Sequence, residues 1–195
     1  MILRGLGFTG LVTVDKIDLL RQPMALEVEE TMSHDLENLG LTHLDSGGRA
    51  RMVDVGSKDA TVRLAIAQSI VEMSEEAAEA VRTCCLAKGD CIQVARIAAI
   101  QATKWTSHLI PLCHSIAIES VDVQHEWTGR TELRWTVSVR TTGKTGVEME
   151  ALTGASIAAL TVYDMCKSLD RSISIRNVCL LHKAGGIRGD YTRAS

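Results

Sequence analysis

Aromatic side chains are scarce: one Phe, two Tyr and three Trp make up 3% of the 195 residues. With hydrophobic content at 46%, the core has to be packed from Ala, Val, Ile, Leu and Met. Net charge is also low, at −3, which removes the electrostatic case for a nucleic-acid partner. The six cysteines form no CxxC pair, so a structural zinc site has no support. They lie in apolar segments, as small buried hydrophobes do, and nothing in the chain calls for the disulfide framework of a short secreted protein. No apolar run is long enough to cross a membrane, which points to a cytoplasmic setting.

The length fits one domain with an appendage. Residues 1–40 hold three basic and seven acidic side chains, a net −4, leaving the other 155 residues at +1. Their apolar stretch is cut by Gly and Thr and ended by Asp15 and Lys16, a poor secretory signal, and the acids argue against a transit peptide. The reading is an accessory or disordered arm over 1–40, with Met24 and Met32 as alternative starts, and one folded domain over 41–195.

Val62, Leu64, Ile66 and Ile70 alternate with Arg63, Ala65, Ala67 and Ser69, which predicts a strand burying the larger side chains. Ser74 with two following glutamates starts a short helix to Cys84. Asp90 caps a second, Cys91 to His108, with Val94, Ile97, Ala98 and Gln101 near one face, stopped by Pro111. A strand over Ile116–Trp127 changes phase near Glu119, predicting a bulge. A second strand carries Leu133, Trp135, Val137 and Val139. Gly143 to Lys167 then reads as a long helix, with Thr145 and Glu148 as a capping box and Met149, Leu152, Leu160 and Tyr163 on the buried face. Ile173–Leu181 is a final strand before a glycine-rich, basic tail. This order is the split βαβ arrangement: an α+β, ferredoxin-like βαββαβ antiparallel sheet with helices on one face. The other face, with Trp135 and its neighbours, would then await a partner subunit.

Chemistry concentrates on the long helix. Glu150 and Asp164 are fourteen positions apart, near a whole number of turns, and Lys167 lies within reach of Asp164. The plain alternative is a solvated face with one ion pair worth about 0–1 kcal/mol. Read on residue type alone, His114 is a structural histidine before it is an acid or base. By the same reading, Cys113 is a packing residue before a nucleophile. TTGKTG between strand and helix suggests a phosphate loop, but a P-loop needs glycine where Ser138 stands.

The runs MVDV, KGD, ARIAAIQATK, LIPLCH, TGKTGVEMEALT and ALTVYDMCK resemble the cyclic pyranopterin monophosphate synthase family, also called molybdenum cofactor biosynthesis protein C, from about Leu41 to Tyr191. The resemblance implies a ferredoxin-like fold and a homohexamer, a trimer of dimers with sites at subunit interfaces. It implies a lyase that converts (8S)-3',8-cyclo-7,8-dihydroguanosine 5'-triphosphate to cyclic pyranopterin monophosphate and releases pyrophosphate. It places catalytic groups at Asp164, Lys88 and Lys167. Substrate contacts fall at Leu112, Cys113, His114, Met149 and Glu150, with Glu148, Lys104 and Arg63 as further pocket residues. Ring opening and closure need proton transfers and no redox step, so no cofactor or resident metal is required; magnesium is left open as a companion of the triphosphate. Clustered cations suit a triphosphate, and lysines beside other cations are expected to have lowered pKa values. The competing class is a non-catalytic ferredoxin-like module, which fold alone would suggest.

Overall fold

The period-two pattern from Thr61 forms a strand, β1 (Thr61–Glu72), and with it the centre of a sheet. The structure is a computed structural model and describes residues 48–187 and 189–194. The chain divides into two units, residues 1–53 and 54–195. In the first, the described residues 48–52 are exposed and Val53 is half-buried. The arm expected over 1–40, and the boundary after it, lie outside the described residues.

In the second unit β1 is followed by α1 (Glu75–Arg82), α2 (Cys91–Leu109), β2 (Ser120–Trp127), β3 (Glu132–Gly143), α3 (Glu148–Cys166), β4 (Ser174–Ala184) and a two-residue β5 (Tyr191–Thr192). Both predicted caps form. The Ser74 side chain accepts from the Ala77 N–H at 3.2 Å, and Asp90 Oδ1 accepts from the Gln93 N–H at 3.0 Å. The capping box at α3 does not form. The helix starts at Glu148, so its N-cap is Val147, whose side chain has no acceptor, and Glu148 pairs with Lys183. The phase change near Glu119 is not a bulge either: β2 starts at Ser120 and pairs with β3 without interruption. Register shifts fall on β4 against β1, where Asn177 adopts a φ of 54°. The strand order is β2-β3-β1-β4-β5, antiparallel throughout, with the helices on one face. That is the ferredoxin-like arrangement, with β5 as an addition from the tail.

The faces, however, are inverted relative to the pattern of large side chains. On β1 the buried positions are Arg63, Ala65, Ala67, Ser69, Ile70 and Val71, so Ile70 is buried as expected, whereas Val62 is exposed and Leu64 and Ile66 are half-buried on the open face of the sheet. On α2 the core takes Cys91, Ala95, Ala99, Ala102, Thr103 and Thr106, leaving Ile97 66% and Trp105 51% exposed. On α3 it takes Glu150, Ala151, Gly154, Ala155, Ala158, Ala159 and Val162, leaving Met149 and Leu160 outside. Trp135 and its neighbours Leu133, Val137 and Val139 are fully buried against the chain's own helices, so they need no partner.

The physical reason is the close approach of the layers. A Cβ on Gly154 would stand 3.0 Å from Thr103 Cγ2, 3.1 Å from Val137 Cγ1 and 3.4 Å from the Ala99 carbonyl oxygen. Ser69 Oγ donates to the Ala155 carbonyl at 2.7 Å, which draws β1 onto α3. Helices this close accept only small side chains at the contact. Beyond the C-terminal end of α3, buried Asp170 accepts from the Ser74 N–H at 2.7 Å and from Ser172, tying the start of α1 to the turn before β4.

Gly154→Val tests this packing. Overfilling the junction should lower stability by about 1–3 kcal/mol, read as a reduced urea midpoint with an unchanged slope. A variant as stable as the parent would show that the three elements do not close there.

Candidate active site

Two groups of candidate residues lie at opposite ends of α3. At its C-terminal end, Lys88 Nζ donates to Asp164 Oδ2 and to the Asp164 carbonyl oxygen, both at 2.7 Å. Lys167 Nζ lies 2.7 Å from Oδ1, so each carboxylate oxygen receives one ammonium. Lys88 is delivered by the turn before α2, where Gly89 at φ 93° supplies the left-handed conformation. All three side chains are about half-exposed. Hydrogen bonds from Lys167 and then Lys88 hold the Asp164 carboxyl down to about 2. The same contact raises Lys167, against the expectation of a lysine lowered by neighbouring cations: the nearest charge is the aspartate, and its attraction wins. At rest the cluster is a carboxylate held between proton donors. Beside it Lys88, Tyr163, Lys167, Ser168 and Arg171 line a cavity of about 300 Å³.

At the N-terminal end Glu150 is 3% exposed, and its Oε2 has no hydrogen-bond partner. Burial, with some help from the charge of Glu148, pushes its carboxyl up to about 7. Cys113, in the loop after α2, lies close enough for Glu150 to raise its thiol, although burial is the larger cause. Glu148 pairs with Lys183 at 3.1 Å. Buried Arg63 donates from Nε to the Gly143 carbonyl at 3.2 Å. A cavity of about 420 Å³ opens here, lined by Lys58, Arg63, Lys144, Lys183, Glu148 and the Thr145–Gly146 turn among others. Its four cations outnumber its one carboxylate. Behind it Gly185, at φ 90°, packs so tightly that a Cβ would overlap the Val62 carbonyl oxygen.

The predicted residues therefore separate. Lys88, Asp164 and Lys167 come together, and so, at the other end, do Glu148 with Arg63 and Glu150 with Cys113. Leu112 and His114 are half-buried in the Cys113 loop, and Met149 is on the outer face of α3. Lys104 stands apart, in a cavity of about 310 Å³ between α2 and the start of β2. Glu150 and Asp164 share an angular sector of the helix, but fourteen residues put them about 21 Å apart along its axis. Lys58 and Lys183 were not named as site residues from sequence, and Lys144 was met only in the rejected TTGKTG phosphate loop. It took the fold to bring all three to the N-terminal end of α3. Among the described residues no group of three or more His, Cys, Asp or Glu is placed to hold a metal ion, and no helix is long and apolar enough to cross a membrane.

Residues 52–186 match the MoaC family. The chain belongs to that family. Among curated relatives, a cyclic pyranopterin monophosphate synthase of Rhodopirellula baltica is 51% identical over 162 residues, covering 78% of this chain and 93% of the relative. One from Bacillus velezensis is 46% identical over 157 residues, 79% and 92% of the two chains. Human molybdenum cofactor biosynthesis protein 1 is 50% identical over 155 residues, 79% of this chain and 24% of that much longer protein. The family match spans both ends of α3 and so includes every candidate residue above.

Glu150 gives a pH test with a definite sign. Its folded pKa lies above the ordinary value of 4.5, so the unfolded chain ionises first and stability falls as pH rises from about 4.5 to about 7. Glu150→Gln should therefore stabilise the protein by roughly 1–3 kcal/mol at pH 8 and have little effect at pH 4.5. Thermal melts at the two pH values read the difference. Equal shifts at both would mean that Glu150 is not held neutral by burial.

Proposed function

We propose that this MoaC family member is a cyclic pyranopterin monophosphate synthase, converting (8S)-3',8-cyclo-7,8-dihydroguanosine 5'-triphosphate to cyclic pyranopterin monophosphate with release of pyrophosphate. The observation that carries the reading is the pairing, on one helix, of an ionised Asp164 between two lysines at one end with, at the other, a buried Glu150 and a cationic cavity lined by Glu148. The substrate has matching halves. Its triphosphate needs fixed positive charge, which Lys58, Arg63, Lys144 and Lys183 supply. Its purine-derived ring needs protons moved onto and off nitrogen and oxygen near neutral pH. Glu150, poised near 7, and the Lys88–Asp164–Lys167 cluster are suited to that work. The reaction is redox-neutral, so side-chain acids and bases suffice. Any magnesium travels with the triphosphate as part of the substrate. A cytoplasmic setting belongs to the same proposal.

One chain holds the two groups about 21 Å apart, too far for one small substrate. We infer that the site is completed by a second copy, which brings the C-terminal end of its α3 to the N-terminal end of this one, within a homohexamer built as a trimer of dimers. In support, the outer faces of α2 and α3 expose Val94, Ile97, Trp105, Leu109 and Leu160, large apolar side chains of the kind an interaction surface covers. The open face of the sheet also carries Val62, Leu64 and Ile66, so the helix faces add to the expected assembly surface. In light scattering the parent should run larger than a dimer, and Ile97→Asp should reduce the mass while retaining a cooperative melt. A parent that runs as a monomer would rule the assembly out.

Asp164→Asn and Lys167→Ala should each fold and lose about a hundredfold or more of pterin and pyrophosphate formation, where a surface ion pair would leave turnover unchanged. Mixing places the site. Asp164→Asn and Glu150→Gln chains, each inactive alone, should regain up to about a quarter of parental turnover when co-assembled, because one of the two shared sites in each mixed pair is intact. A site contained within one chain would show no recovery.

A further inference from the structure

We propose that Cys91 and Cys166 form a reversible disulfide that controls the Lys88–Asp164–Lys167 cluster. α2 and α3 run antiparallel and touch where Gly154 meets Thr103. Cys91 lies twelve residues before Thr103, and Cys166 lies twelve residues after Gly154. At equal rise per residue the two side chains arrive at the same height on facing helices. Both thiols are free and buried, 1% and 0% exposed, and they face each other.

The surroundings favour Cys166 as the nucleophile. The Cys91 S–H lowers the Cys166 thiol and Lys88 lowers it further, while burial and Asp170 oppose. Cys91 is raised by Cys166, burial, Asp90 and Cys84. With a hydroperoxide as oxidant, the Cys166 thiolate attacks one peroxide oxygen and the O–O bond breaks. Cys166 becomes a sulfenic acid and the second oxygen leaves as water or an alcohol after taking a proton. The Cys91 sulfur then attacks the sulfenic sulfur, the S–O bond breaks and a second water departs. Two thiols are oxidised, one peroxide is reduced, and a dithiol reverses the bond by exchange.

The link would reach the cluster through the chain. Lys88 lies three residues before Cys91, Asp164 two before Cys166, and Lys167 directly after it. Drawing the sulfurs to a bond of about 2 Å shifts the two helix ends that hold those side chains at 2.7 Å. Cys84 and Cys85 are exposed on the preceding turn and are the competing thiols.

The full chain, reduced or treated with hydrogen peroxide, is quenched with N-ethylmaleimide and digested for mass spectrometry. The expected result is a peptide pair joined through Cys91 and Cys166, lighter by two hydrogen atoms. Formation of the link should lower turnover severalfold and speed acylation of Lys88 by an amine reagent as its bond to Asp164 loosens, and dithiothreitol should reverse both. Cys91→Ala should keep its turnover and lose the peroxide response, and a Cys84→Ser, Cys85→Ser chain should retain that response. The Lys88 readout does not depend on the proposed reaction, so a reduced chain without turnover would defeat that reading and leave this one testable. Absence of the Cys91–Cys166 link in folded protein, or a link that leaves Lys88 reactivity unchanged, would overturn the proposal.

Discussion

The close contact of α2, α3 and β3 around Gly154 is the constraint on which the other features rest. Small side chains at Ala95, Ala99, Ala155 and Ala158 let the helices approach each other and the sheet, so the core is filled partly by backbone and partly by the β3 row of Leu133, Trp135, Val137 and Val139. Alanine buries little area per residue, so no single contact is worth much; the stability comes from the density of the whole layer. The same closeness holds both ends of α3 in place. Its C-terminal end is set against the turn that carries Lys88, and its N-terminal end against the Cys113 loop.

Those ends have opposite electrostatic characters, for reasons visible in their surroundings. Asp164 is solvated and touched by two ammonium groups, so its charged form is favoured and its pKa falls. Glu150 is buried with an unpartnered oxygen and a second carboxylate nearby, so its neutral form is favoured and its pKa rises. Two carboxyls on one helix are thereby pushed apart, one held far below neutrality to carry charge and one raised to near neutrality to exchange a proton. Such separation by environment is what acid–base chemistry at neutral pH requires.

Element existence and order were legible in the sequence because they depend on period and punctuation: alternation on β1 and β3, with Ser74 and Asp90 as caps. Burial was misread over the first half of β1 and on α3 because side-chain size was taken as the guide to the interior, while Ile70 was read correctly. Where backbones approach closely, size works the other way, and Leu160, Ile97 and Val62 are excluded from the space that Ala158, Ala99 and Ala65 fill. The Asp164–Lys167 pair followed from a three-residue spacing on a helix. Its link to Lys88, 76 residues away, is a tertiary contact that spacing does not show, and it came through the family resemblance. Lys183 was missed because its partner, Glu148, was assigned to a cap.

The inversion of large and small side chains also bears on why a site should be shared. A chain that buries its small residues and exposes its large ones has built a rigid unit with apolar surface left over on α2 and α3. In water that surface favours association by the same effect that drives folding, at about 25 cal/mol per Å² removed from solvent. Rigid units brought together this way can bring distant points of their surfaces into register without any loop having to move. Under the shared site proposed above, assembly would let the two ends of α3, about 21 Å apart, meet one small molecule. The scarcity of aromatics fits that account: close layers leave little room for large rings inside, and of the three tryptophans only Trp135 is fully buried, while Trp105 stands on the outer face.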